Sequence, residues 1–561
     1  MALIVGCFGA SAFAQHDLKE SNVWAFDRKL GLDFNSGFPV LITTAMHSAA
    51  NSAFSAPAFV EGCASVSDEN GQLLFYNSGD TIWNRNHQVM TNGFGINPTV
   101  ASSTYQGALI APVISDPNKY YVFSLESSEV LNTNPVGPGR LYYSVVDMTL
   151  DNGLGGVMSG QKAILLDSSL SEMMTIVAGD NCDLWLLVHN IVGYDFKAFH
   201  ITAAGIDPIP QVSTVGHIQS PVPTVGPYFV GSISVSPDRR RIVHANPVFR
   251  GIEVFDFDPA FGIVSNAILL DTTAIADAPC FSPNSSMIYV KMKKVPGTST
   301  MVRQYNVSLL TPGAIINSKY DFAQIRLAQT GGMKLAPDGK IYGFFQRAVN
   351  QGATNLPDSL GVINFPDMAG AAAGYNPVIV PLGNRLGVGF DLPNSYWKPL
   401  QDTLTSKIDT VFGVNNSLSL AIHGNYFTYQ WNDNSTDSFK NVTAPGVYWV
   451  TYSNYCTYRT DTFNVLGWPA GVGETNASEI GLVTYPNPAA STVTVKLSGL
   501  SNRYGDIVLI DAVGRIVLQH RFEGNQTTIP VETVSAGIYT VEYRDDSEPT
   551  LKIRTKLLIN R

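Results

Sequence analysis

The chain has 561 residues, a length that accommodates three to four domains of roughly 150 residues each. Charged residues make up 14% of it, against about 25% in ordinary soluble domains, and 45% of residues are hydrophobic, which excludes a disordered or coiled-coil protein. The net charge of −10 leaves no basic surface for phosphate backbones, so no nucleic-acid partner is expected.

At the N-terminus an apolar stretch over residues 2–10 is followed by Ser11-Ala12-Phe13-Ala14-Gln15. Small side chains at Ala12 and Ala14 suit a signal peptidase, which predicts cleavage between Ala14 and Gln15 and loss of residues 1–14. The run is too short to span a bilayer, and no later segment reaches 18 uninterrupted apolar residues, so no transmembrane segment is expected. Of five cysteines, Cys7 lies in this leader. Cys63, Cys182, Cys280 and Cys456 are far apart and form no C-x-x-C, which argues against zinc or dithiol chemistry. An exported chain admits one or two bridges, but a chain of this size does not need them, so isolated buried thiols are the expected state, with Cys456 in a later module than the other three.

From residue 22 to residue 395 a turn followed by an apolar strand recurs. Ser67-Asp68-Glu69-Asn70-Gly71 precedes Leu73-Leu74-Phe75-Tyr76, and Ser236-Pro237-Asp238-Arg239 precedes Ile242-Val243. Ala336-Pro337-Asp338-Gly339 precedes Ile341-Tyr342, and further copies stand before residues 120, 184 and 287. The strand starts at 73, 120, 184, 242, 287 and 341 are 47, 64, 58, 45 and 54 residues apart, the period of four-stranded propeller blades. Third strands follow, such as Leu141-Tyr142-Tyr143-Ser144-Val145-Val146-Asp147 and Ile252-Glu253-Val254-Phe255-Asp256, and no stretch shows convincing helical periodicity. An all-β fold with a seven-bladed β-propeller is expected, the first and last segments jointly supplying the seventh blade. The turns and strands resemble YVTN and lactonase-like seven-bladed propellers. Glu61-Gly62-Cys63-Ala64-Ser65-Val66-Ser67-Asp68 and Ile82-Trp83-Asn84-Arg85-Asn86-His87 resemble, more closely, a propeller of Bacteroidota surface proteins.

No nucleophile elbow, zinc helix, phosphate loop or calcium loop is present, so no catalytic residue, cofactor or metal ligand is assigned. The lactonase-like resemblance implies acid, base and cation groups at the channel mouth. By residue type these would be Glu61, His87, His189, His244 and Arg385, none of them in a motif that matches the family's. Trp83 beside Asn84, Arg85 and His87 is suited to stacking on a sugar ring, although packing on a neighbouring blade is the favoured reading. Asp80-Thr81-Ile82, Asp358-Ser359-Leu360, Asp402-Thr403-Leu404, Asp409-Thr410-Val411, Asp437-Ser438-Phe439 and Asp461-Thr462-Phe463 resemble the acceptor used for O-glycosylation in Bacteroidota.

Residues 402–466, with Trp431 as a core residue, look like an Ig-like or PKD-like module, a small β-sandwich. Residues 467–480 read as a linker, with Pro, several Gly, Ala, Ser and Asn. From residue 481 to residue 561 the chain reads Tyr485-Pro486-Asn487-Pro488, then alternating strands, a turn at Gly514-Arg515, Ala536-Gly537-Ile538-Tyr539, and an ending that contains Lys556. This resembles the type A C-terminal sorting domain of the Bacteroidota type IX secretion system, expected as a small β-sandwich. The resemblance implies type IX machinery as partner, export through periplasm and outer membrane, and release or attachment to lipopolysaccharide. A non-enzymatic exported protein follows, its propeller binding a protein or a glycan; the alternative is a propeller hydrolase or lyase with its site at the channel mouth.

Overall fold

The computed structural model describes residues 18–26, 30–42, 62–98, 104–127, 139–191, 193–217, 231–246, 251–294, 300–322, 332–345, 359–381, 392–403, 407–412, 417–424, 426–466, 481–499, 503–548 and 551–560. The expected cleavage site at Ala12, Ala14 and Gln15 and the linker at 467–480 lie outside these residues. By internal contacts the chain divides into two units. One comprises Met1–Lys407, Ile422–Ser438 and Trp449–Thr462; the other comprises Ile408–Ala421, Phe439–Tyr448 and Phe463–Arg561.

Alternation of apolar residues, broken by turns, makes the first unit a succession of antiparallel sheets. Sheet I spans residues 23–42 with three strands, sheet II 63–94, sheet III 108–167, sheet IV 170–214, sheet V 232–271, sheet VI 274–321 and sheet VII 333–381. Sheets II and III are joined by one parallel bridge between Thr91 and Gly156. Each neighbouring pair shares a core. Tyr76 and Trp83 of sheet II pack on Val23 and Ala25 of sheet I. Phe75 of sheet II meets Ile110 and Tyr120 of sheet III, and sheets III, IV and V share a cluster around Phe123, Leu186 and Phe255. Sheet V joins VI through Val254 and Ile288, and VI joins VII through Tyr289 and Ile341. The ring closes where Trp24 and Leu32 of sheet I pack with Tyr342 and Val362 of sheet VII. Edge-on rings reinforce these seams, as where Phe196 meets Phe255 at 4.9 Å, a contact worth about 0.5–1.5 kcal/mol beyond area burial. The unit is a β-propeller.

The recurring turns gather on one face. Within them the fourth residue donates its N–H to the carbonyl of the first, as Arg239 does to Ser236, Ser285 to Ser282 and Gly339 to Ala336. They also link neighbours, since Arg239 Nη1 donates to Gly179 O and Asp180, and Asp238 N to Ser285 Oγ. One expected turn is tighter than its sequence suggested. Asp116, Pro117, Asn118 and Lys119 belong to strand Asp116–Leu125, because the reversal is completed at Ile114 and Ser115.

The expected joint blade of the first and last segments falls partly on residues 382–391, outside the described residues. Leu392–Leu400 run along the inner strands without a backbone ladder to sheet I among the described residues. Asn394 donates its backbone N–H to Cys63 O and its side chain to Ala108 O, at the start of two inner strands. Tyr396 packs with Val66 and Ile110, Trp397 with Ala111 and Ile114, and Lys398 pairs with Glu20. The segment therefore follows the ring's axis from the end where inner strands begin to the end where the turns lie. Gln106, just before sheet III, reaches the first strand of sheet V, its amide exchanging two 2.9 Å hydrogen bonds with the backbone of Ile233.

The cysteine expectation is corrected here. Cys182, in a turn of sheet IV, is bonded to Cys456, while Cys63 and Cys280 remain buried thiols. Sequence spacing could not show this, because the bridge joins residues 274 apart that only the folded chain brings together. Beside it Gln401 donates to the carbonyls of Asn454 and Thr457. Strand Thr428–Trp431 pairs with residues 450–453, and Trp431 is fully buried with its indole N–H on Asp437 O, the core role expected of it. Replacing both Cys182 and Cys456 by Ser should lower the stability of this unit by about 2–5 kcal/mol, since the bridge closes a long loop. Urea unfolding of wild type and variant measures it, and coincident transitions would refute it.

In the second unit, strands Leu418–Ala421 and Phe439–Val442 pair antiparallel. Residues 481–559 form a sandwich of a three-stranded and a four-stranded sheet. Its core is its own: Val493, Val495, Ile507, Phe522, Val541 and Leu557 are fully buried against one another.

Candidate functional site

The propeller face opposite the turns carries charged groups inside otherwise apolar strands. Glu126 and Arg140 sit where the second strand ends and the third begins, and the others pair side chains of first, second, third and fourth strands. In sheet III, Glu126 is buried and takes a two-pronged hydrogen bond from Arg140, Nη2 to Oε1 at 2.7 Å and Nε to Oε2 at 2.9 Å, which raises the pKa of the guanidinium further. In sheet VI, Arg303 lies between Asp271 and Asp321, and Lys291 lies 3.4 Å from Asp277. Glu172 opens sheet IV, buried, accepting the backbone N–H of Tyr105 at 3.0 Å.

Between sheets IV and V lies a histidine group. The Glu253 carboxylate, 1% exposed, accepts from the backbone N–H of His217 at 2.6 Å and from its Nδ1 at 2.9 Å. The His217 side chain is 52% exposed, so its Nε2 edge is the accessible part of the group. Behind it the His189 and His244 rings stack at 5.5 Å, flanked by Phe196. Burial lowers the His189 pKa to about 4, against the smaller opposing effect of its Asn190 carbonyl bond, and lowers that of His244 to about 3, helped by the neighbouring His189. Both are neutral at pH 7, so the 4.0 Å approach of His244 to Glu253 is not an ion pair.

Of the groups chosen by residue type the structure brings together only His189 and His244 among the described residues. His189 and His244 are buried structural groups, and His87 sits in a turn between strands at residues 85–88, its Nδ1 3.3 Å from the Tyr76 hydroxyl. Glu61 and Arg385 lie outside the described residues. Trp83 is 4% exposed and stacked on Tyr76, which removes it as a sugar platform and bears out packing on a neighbouring blade. Thr81 is buried and bonded to Asp80, so that acceptor pattern is closed, while Ser438 of Asp437-Ser438-Phe439 is exposed. His217 and Glu253 escaped the sequence reading. The signal was there in Glu253, an acid in the apolar strand Gly251–Asp258, but its partner comes from another sheet. Among the described residues no three His, Cys, Asp or Glu are placed to hold a metal ion.

The second unit holds the C-terminal motif together. Asn487 accepts the N–H of Leu558 at 2.8 Å and donates to Lys556 O at 2.9 Å, tying Tyr485-Pro486-Asn487-Pro488 to the last strand. Gly514 has a φ of +85° in a turn where Arg515 bonds Asp511, and the Tyr539 hydroxyl donates to Ser535 O. Gly537 pairs with Ile559 at the strand end.

Residues 483–560 match the family described as a secretion system C-terminal sorting domain. The chain carries that domain, and it is an exported protein, routed by type IX secretion to the cell surface or the exterior. None of the curated proteins is a detectable relative. Similar solved structures include a functionally unknown protein from Desulfotomaculum acetoxidans, at 12% identity and a TM-score of 0.36 over 66% of this chain and 98% of that one. Another is a putative 6-phosphogluconolactonase from Bacteroides fragilis, at 12% identity and 0.30 over 55% and 78%. A third, a protein from Lactobacillus plantarum, has 12% identity and 0.35 over 66% and 98%. Among the described residues no helix is long and apolar enough to cross a membrane.

Proposed function

We propose that this protein is an exported binder whose seven-bladed propeller, over residues 22–395, presents the polar face to a protein or glycan. A signal peptide at 1–14, an Ig-like or PKD-like spacer at 402–466, a linker at 467–480 and the sorting domain at 481–561 complete it; loss of the sorting domain ends in release or in attachment to lipopolysaccharide, and the propeller is the working part. The carrying observation is the set of buried carboxylates on that face: Glu126 bound by Arg140, and Glu253 bound by the half-exposed His217, hold polar groups at the surface in fixed positions. The turn face is occupied by its own Cys182–Cys456 anchor, which leaves the opposite face for a partner.

Hydrogen exchange of the mature protein, with and without cell-envelope polysaccharide, tests this. Protection is expected around residues 139–141, 215–217 and 251–253; protection confined to residues 68–71 and 236–239 would overturn the assignment of the face. A hydrolase is the second reading, favoured by His217, whose ring is oriented by buried Glu253 as a general base would be. Turnover of lactones or esters that is lost in His217→Ala would replace the first reading with this one.

A further inference from the structure

The sheet that carries Trp431 has a second face. Strands Thr428–Trp431, Gly446–Ser453 and Thr457–Leu466 lie side by side in it, and residues 428–431, 449–453 and 457–462 all belong to the first unit. Successive side chains of a strand point to opposite faces. Trp431, Val450, Tyr452 and Asp461 are buried on the inner face, where the Tyr452 hydroxyl donates to Asp461. Two hydroxyl pairs mark the outer face by crossing between strands: Thr428 Oγ1 with Ser453 Oγ at 2.6 Å, and Thr451 Oγ1 with Thr460 Oγ1 at 3.0 Å. By the same alternation Trp449 lies on this face beside Thr451, and Tyr458 beside Thr460; the two aromatic residues are 41% and 48% exposed. The asparagine side of the hairpin, closed by the Asn454 N–H on Thr457 O, sets Tyr458 opposite Ser453. The two rings therefore stand four residues apart along the strands, about 14 Å at about 3.4 Å per residue.

We propose that this face binds a neutral polysaccharide, an extended chain lying along the strands. Exposed Trp and Tyr rings stack on the C–H faces of sugar rings, and their separation suits several consecutive sugars rather than one small molecule. Between the rings lie hydroxyls. A hydroxyl has one hydrogen and two lone pairs, so each Thr–Thr or Thr–Ser pair keeps one hydrogen and further lone pairs for the hydroxyls of a sugar. The charge state of the occupant follows from the outward positions, which are Thr428, Gln430, Trp449, Thr451, Ser453, Tyr458, Thr460 and Thr462, all neutral. A polyanion or polycation would give up hydration of its ions against these side chains without an opposite charge from them, a cost that a neutral hydroxylated chain does not meet. The face lies outside the propeller blades, so the proposal does not rest on the partner assigned to the propeller.

Affinity gel electrophoresis of the full-length protein tests this, with hydroxyethyl cellulose as the neutral probe and polygalacturonate as the anionic one. Retardation is expected with the first and not with the second. Trp449→Ala should raise the half-retarding concentration of hydroxyethyl cellulose at least about tenfold. Tyr458→Ala is the second variant, and should raise it several-fold at unchanged melting temperature. Absence of retardation by hydroxyethyl cellulose, equal retardation by polygalacturonate, or wild-type retardation of the two variants would each overturn the proposal; the last result would move the polymer to another part of the chain and leave the propeller reading standing. A dimer in solution that Trp449→Ala dissolves would overturn it as well, because the occupant would then be a second copy.

Discussion

A chain ending at residue 480 is expected to accumulate in the periplasm, with none in the medium or on the cell surface. The sorting domain's core is drawn wholly from residues 482–559, so its removal takes nothing from the clusters that close the propeller. The truncated protein should still form the Cys182–Cys456 bond, which a non-reducing gel reports. A subtler change separates sorting from bulk truncation. Asn487→Ala deletes both exposed hydrogen bonds to the last strand, and at about 0.5–1.5 kcal/mol for each it should reduce export without abolishing it. Val541→Asp, which buries a carboxylate at a position with no exposure, should reproduce the full truncation. Immunoblots of periplasm, outer surface and medium decide the matter, and truncated protein recovered from the medium would refute the role of the domain.

The second large effect is acid lability of the propeller. His189 and His244 have folded pKa values of about 4 and about 3, below the unfolded value of 6.5. Below pH 6.5 the unfolded chain therefore binds protons that the folded chain refuses, so stability is full above pH 6.5 and declines as the pH falls toward 4. At pH 5 each ring costs about 2 kcal/mol, and the two together about 4 kcal/mol. The window from pH 6.5 to 5 isolates the histidines, because the depressed carboxylates, such as Asp545 at about 2, titrate lower. His244→Phe keeps an aromatic ring beside His189 and Phe196 and should remove about half of the loss. Urea unfolding at pH 7.5, 6 and 5 measures this; equal stability at pH 7.5 and 5, or an undiminished loss in the variant, would contradict it.

Much of this architecture was legible in the chain. The turn-and-strand period placed the second strands at Leu73, Leu184, Ile242, Met287 and Ile341, where the structure has them, because a hairpin turn and an alternating strand are written in adjacent residues. The sorting motif was equally readable, since Asn487, Gly514 and Tyr539 act within one small domain. The candidate site was hardly legible. Residue type singled out His189 and His244, which burial makes inert, and passed over His217, whose orientation depends on a carboxylate 36 residues away in the next sheet.

The sequence by itself determined the all-β class, the blade period, the export signal and the core role of Trp431, each a consequence of local spacing and side-chain polarity. Only the tertiary structure decided that Asn394 and Gln106 bond to the inner strands of other sheets, that Cys182 finds Cys456, and that Trp24, Ser232 and Lys334 line one cavity. The partners Gln106 and Ile233 are 127 residues apart, Cys182 and Cys456 274, and Ala108 and Asn394 286. Contacts at such separations are selected by closure of the ring, and periodicity along the chain carries no trace of them.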